Sequence, residues 1–118
     1  MVNLKIFDNF YNAKKEKIMI IELNKDNFTD KTQKGLKLIE FFADWCGFCT
    51  RQDAILNEID KVWIGKVNTD ENKELARKYG VSALPSFIVL KNGAEVDRFS
   101  GLHSKFDIMN ILSKHIKN

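Results

Sequence analysis

The sequence predicts an α/β fold in which a central mixed β-sheet is flanked by helices on both faces. Three observations carry this reading. Strand-like and helix-like segments alternate along most of the chain. Towards the C-terminus two β-rich runs flank Asn92-Gly93, the strongest short signal for a tight hairpin and so for an antiparallel strand pair. The composition is that of a globular domain, with 44% hydrophobic residues and nine Phe among 118 positions. A chain of this length buries roughly 65% of its unfolded surface, enough for a core without disulfide staples or metal.

Taken in order, Ile18 to Leu23 is apolar and β-rich and reads as a strand. Asn24 to Lys34 is polar, with Phe28 as its apolar anchor and Asp26 as the expected N-cap of a short helix. Gly35 stops that helix, and Leu36 to Ala43 reads as a largely buried strand. Glu40 is its odd member, and period-two counting puts it on the same face as Leu38 and Phe42. Beyond Cys49, Ile55, Leu56 and Ile59 mark one face of a helix, and Val62 to Asn68 is a third strand. Asp70 is expected to cap a helix carrying Leu75, Ala76 and Tyr79, closed by Gly80 at C′. Ser86 to Lys91 and Ala94 to Phe99 form the hairpin. Ser104 then opens an amphipathic helix with Ile108, Ile111, Leu112 and Ile116 facing inward. The order β-α-β-α-β-α-β-β-α implies parallel crossovers first and an antiparallel hairpin at one side. Residues 1–17 read as an N-terminal extension, with Phe7, Phe10 and Tyr11 at the spacing of a short helix, and 18–118 as the domain proper.

Several function classes are poorly served by this sequence. The longest unbroken apolar run is four residues, against the roughly 20 that a membrane-spanning helix needs. The net charge of +3 is spread along the chain, with no sustained basic stripe for nucleic acid. The two cysteines cannot complete a four-ligand zinc site, and His103 and His115 are too far apart in sequence to supply a closely spaced pair. No secretory signal or transit peptide is recognisable at the N-terminus, so the expected location is cytoplasmic and the thiols are expected to be largely reduced.

The chemistry concentrates in Trp45-Cys46-Gly47-Phe48-Cys49, where a buried strand gives way to a helix. A cysteine at a helix N-terminus has its thiolate stabilised by unpaired N–H groups and the positive end of the dipole. A second cysteine one turn on can close a disulfide with it while shielded from solvent. The outer sulfur attacks a disulfide, and the inner one resolves the mixed disulfide. The bland reading is a fixed bridge closing a tiny loop, which stabilises little.

The stretch from Phe41 to Cys49 resembles the active site of the thioredoxin family, which typically ends Trp-Cys-Gly-Pro-Cys. Leu84-Pro85-Ser86 resembles that family's cis-proline loop, Lys91-Asn92-Gly93 its hairpin turn and Gly101 its substrate-groove glycine. The resemblance covers some 100 of the 118 residues. It implies a thioredoxin fold and a protein-disulfide reductase without bound cofactor, with Cys46 as nucleophile and Cys49 as resolving thiol. Pro85 would face the disulfide, and the backbone of Leu84 would pair with an extended substrate. Trp45, Gly47, Phe48, Leu84, Gly101 and Leu102 would line a shallow apolar groove, although an aromatic beside a strand end is often mere packing.

The resemblance also implies that Glu40 stands in place of a buried aspartate that relays protons to the resolving thiol, with Lys66 as its partner. A solvated edge carboxylate is the competing reading of Glu40. Phe48 replaces the motif's proline, a change that bears on the redox poise. Ala54 replaces a helix-kinking proline, so the second helix is expected to be straighter, and the seven residues between Glu58 and Lys66 imply that it is shorter. The expected partners are a thioredoxin reductase as electron donor and disulfide-containing client proteins, with no nucleic acid and no membrane, the chain acting as a monomer. The rival readings are a more oxidising oxidase or isomerase of the same fold, and a non-enzymatic module that binds through the cis-proline groove.

Overall fold

The structure, a computed structural model, describes residues 20–59 and 61–116. The expected extension over 1–17 and the start of the first strand lie outside the described residues. The elements are β1 (Ile21–Leu23), α1 (Phe28–Thr32), β2 (Leu36–Phe42), α2 (Gly47–Leu56), β3 (Trp63–Asn68), α3 (Lys73–Lys78), β4 (Ser86–Lys91), β5 (Ala94–Ser100) and α4 (Lys105–Ile116). The five strands form one sheet in the order β1-β3-β2-β4-β5. β3 pairs in parallel with β1 and β2, as crossover connections require, while β4 runs antiparallel to β2 and β5.

Strand alternation sorts the apolar side chains into two cores. Leu38, Ile64, Phe87 and Val89 pack with Leu56 and Ile59 around α2 and with Ile108 and Leu112 from α4. On the opposite face Ile39, Phe41, Val67, Ile88 and Leu90 pack with Phe28 of α1 and Leu75 of α3. Helices therefore cover both faces, and β2, paired on both edges, is central. Gly65 faces the second core at a close approach. A Cβ there would sit 2.5 Å from Leu23 Cδ1 and 2.9 Å from Trp63 Cζ3.

The turns follow their residues. Asn92 and Gly93 both have positive φ, 52° and 85°, as a two-residue hairpin turn demands. The Asn92 side chain also accepts the Gly35 N–H at 2.8 Å, tying the hairpin to the start of β2. Gly80 sits at C′ of α3, where Val81 N–H bonds Ala76 O and Gly80 N–H bonds Arg77 O, the paired bonds of a Schellman ending.

Three local expectations are corrected. Asn27, not Asp26, occupies the N-cap of α1, because Asn24 folds its own side chain over the Asp26 and Asn27 amides. Asn72, not Asp70, precedes α3, and the Asp70 carboxylate is engaged elsewhere. Ile116 is 62% exposed rather than inward. Four-residue steps on a 3.6-residue helix drift by about 40° each, so the stripe begun at Ile108 and Leu112 has rotated off the core by Ile116.

Candidate active site

β2 ends half-buried at Phe42, and the chain turns through Ala43, Asp44 and Trp45 before α2 begins at Gly47. Cys46 is the N-cap of α2, in extended conformation, and its Sγ accepts the Cys49 N–H at 3.1 Å. Cys46 and Cys49 are joined in a disulfide, their Cα atoms 5.2 Å apart. An amide aimed at the first sulfur is the donor that stabilises a thiolate there once the bond is reduced.

An open cleft of about 410 Å³ lies over this turn. It brings together Trp45, Cys46, Gly47, Phe48 and Leu84, and Cys49 lies outside its lining. Thr69, Ala76, Val81 and Ser82, none of which the sequence marks as site residues, complete it. Gly101 and Leu102 lie outside the lining too. Gly101 N–H bonds Pro85 O at 2.8 Å, so this loop braces the Leu84–Pro85 segment, whose peptide bond is cis. Trp45 is not core packing, being 72% exposed, and its indole N–H donates to Asp70 Oδ2 at 2.9 Å. Phe48 is also exposed.

Behind the disulfide, Gln52 of α2 is fully buried and makes two bonds to one residue. Its Nε2 donates to His103 O and its Oε1 accepts the His103 N–H, both at 2.9 Å. Glu40 lies on the face of β2 that α2 covers, and it too is completely buried, which disposes of the solvated-edge reading. Its register partner on β3 is Lys66, whose Nζ lies 3.7 Å from Glu40 Oε1. Burial pushes the Glu40 carboxyl up to about 8. Lys66 opposes that shift and the Asp53 charge adds to it. Lys66 makes its short bond, 2.7 Å, to Asp53 Oδ1 on α2. Asp53 was readable only as the residue four beyond Cys49, hence on the same helix face. From the sequence, Asp70 reads as a cap.

A thioredoxin family model matches residues 19–114. The chain belongs to the thioredoxin family. Among curated relatives, the thioredoxin of Chlamydia caviae is 40% identical over 101 residues, covering 82% of this chain and 99% of that protein. The thioredoxin of Bacillus subtilis is 35% identical over 102 residues, covering 82% and 98%. Among solved structures, a mutant thioredoxin from Halobacterium salinarum matches with a TM-score of 0.78 at 23% identity, covering 86% of this chain and 95% of that one, a likeness of fold. With a Cys-x-x-Cys disulfide at the head of α2, this family member is a thiol–disulfide oxidoreductase with protein-disulfide reductase activity. No helix among the described residues is long and apolar enough to cross a membrane.

Proposed function

We propose that the two sulfurs have fixed and unequal roles, Cys46 attacking and Cys49 resolving. The observation that carries this is their placement. Cys46, 6% exposed, lines the cleft at the N-cap of α2, whereas Cys49, 2% exposed, sits a turn inside and out of the lining. In the reduced protein the Cys46 thiolate attacks one sulfur of a client disulfide. The client S–S bond breaks, the departing client thiolate takes up a proton, and a mixed disulfide forms. Cys49 then gives its proton to the Glu40 carboxylate and attacks Cys46 Sγ. The second client thiolate leaves, the Cys46–Cys49 bond forms, and two electrons have passed to the client.

Lys66 is the counter-charge for Glu40 in this scheme. Trp45, Gly47, Phe48 and Leu84 form the client surface, with Gly101 and Leu102 at its margin and the Leu84 backbone beside Pro85 pairing with an extended segment. Family membership supports a thioredoxin reductase as the source of the returning electrons and disulfide-bearing proteins as clients. It also supports a place in electron transport and redox homeostasis in the cytoplasm, the chain working as a monomer without a bound cofactor. The oxidase or isomerase and the binding module are not favoured, since the pair is intact and the relatives are thioredoxins.

Substitution of each cysteine tests the asymmetry. Cys46→Ser is expected to abolish reduction of insulin disulfides, and Cys49→Ser to accumulate mixed disulfides with clients, read on non-reducing gels. Equal trapping by both variants contradicts the assignment.

A further inference from the structure

Lys66 stands between two carboxylates that do not share it equally. The 2.7 Å contact to Asp53 is a charge-assisted hydrogen bond, whereas 3.7 Å to Glu40 is too long for one. The consequence is visible at Glu40, where neither carboxylate oxygen has a hydrogen-bond partner among the described residues. A buried, unbonded carboxylate is a poor place for negative charge. The ammonium that could make it a better one is drawn towards α2.

Around Glu40, α4 covers the same face of the sheet with the apolar Ile108 and Leu112. β3 presents Lys66, and β4 presents uncharged Phe87 at the same register. α2 presents Asp53, and Glu22 on β1 continues the row beyond Lys66. Glu22, Asp53, Asn57 and Lys66 line an open cleft of about 240 Å³, and exposure rises from Glu40 at 0% through Lys66 at 18% to Asp53 at 42%. The Lys66 ammonium also lies 4.3 Å from the centre of the Phe42 ring, a second contact on the cleft side.

We propose that Asp53 is a positioning residue that holds the Lys66 ammonium on the cleft side, away from Glu40, and so sets the pH at which Glu40 can accept the Cys49 proton. The first part stands on geometry alone, and the last rests on the relay reading of Glu40 given above. With Asp53 in place only a minor fraction of Glu40 is ionised near pH 7, and the proton acceptor is scarce. Freed from Asp53, Lys66 turns to Glu40 and favours the carboxylate.

The test follows the carboxyl carbon of Glu40 by NMR in the oxidised full-length protein, where neither cysteine titrates. Asp53→Asn is expected to lower the Glu40 midpoint by about one pH unit or more, the size that an opposite charge brought into contact produces. Asp53→Glu should restore the wild-type midpoint. An unmoved midpoint in Asp53→Asn overturns the proposal. Single-turnover kinetics of the reduced protein with an excess of a peptide disulfide then separate the two claims. The rate–pH profile of the resolving step should move with the midpoint in Asp53→Asn, rising several-fold at pH 7. The same change should have no effect in a Glu40→Gln background. A midpoint that moves while the rate profile stays fixed supports the hold of Asp53 over Glu40 and overturns the relay.

Discussion

Glu40 couples the chemistry of the site to the stability of the chain. Its carboxyl is held at about 8 in the folded protein against an ordinary 4.5, chiefly by burial. The folded state therefore binds this proton more tightly than the unfolded state does. The resulting contribution to stability is fully present below the ordinary value and is lost as pH rises through the folded one. Over that window it amounts to on the order of a few kcal/mol. Urea unfolding of the oxidised protein is expected to show stability falling between about pH 5 and pH 8. In Glu40→Gln the decline should be much flatter, because an amide has no charge to bury. Parallel curves for the two proteins would mean that Glu40 titrates as an ordinary carboxyl. Comparing variant with wild type isolates Glu40 from other groups, such as Asp97, whose carboxyl is held down by its hydrogen bond to His115.

On the scale of elements, β3 shows how close packing restricts a strand. The second core closes over Gly65, and the space of a methyl group is already taken by Leu23 and Trp63. Gly65→Ala is expected to destabilise the protein by about 1–3 kcal/mol through overpacking, measured by thermal or urea unfolding. It should leave disulfide exchange near wild type, since Lys66 faces the other side of the sheet. An unchanged stability would show that Leu23 or Trp63 yields freely. The strands were legible in the sequence because alternation and apolar runs are local signals, and so were Gly80 and Asn92-Gly93, whose backbone angles few other residues adopt. The helix caps were not. Asn24, Asp26 and Asn27 compete within four residues, as do Asn68, Asp70 and Asn72 within five, and any of them can cap. For α1 the choice falls to the turn that Asn24 makes with its own side chain, and for α3 the Trp45 indole claims Asp70. The same division runs through the site. Cys46 and Cys49 announce themselves by spacing, whereas the Asp53–Lys66 bond joins a helix to a strand and exists only once α2 lies on the sheet.

For the molecule as a whole, the redox centre sits where the parallel strands end. Cys46 follows β2, Thr69 and Asp70 follow β3, and the antiparallel β4 begins beside them after Pro85. Loops beyond the carboxyl ends of parallel strands are the usual seat of function in α/β sheets, and here they spring from the central strand. The buried Gln52 adds a tie across this end, binding the peptide of His103, which lies between β5 and α4, to the redox helix. That tie makes a backbone amide outside the redox helix into a gauge of the active site. The His103 hydrogen can exchange with solvent deuterium only when the Gln52 carbonyl lets go, so its exchange is expected to share the opening free energy of the α2 amides. Gln52→Leu should release the His103 amide to fast exchange and destabilise the fold by about 1–3 kcal/mol, the cost of leaving buried peptide groups unsatisfied. Exchange at His103 that ran independently of α2 in the wild type would show the tie to be slack. Where it holds, one amide reports when the helix that carries the disulfide loosens, with no label placed on a thiol.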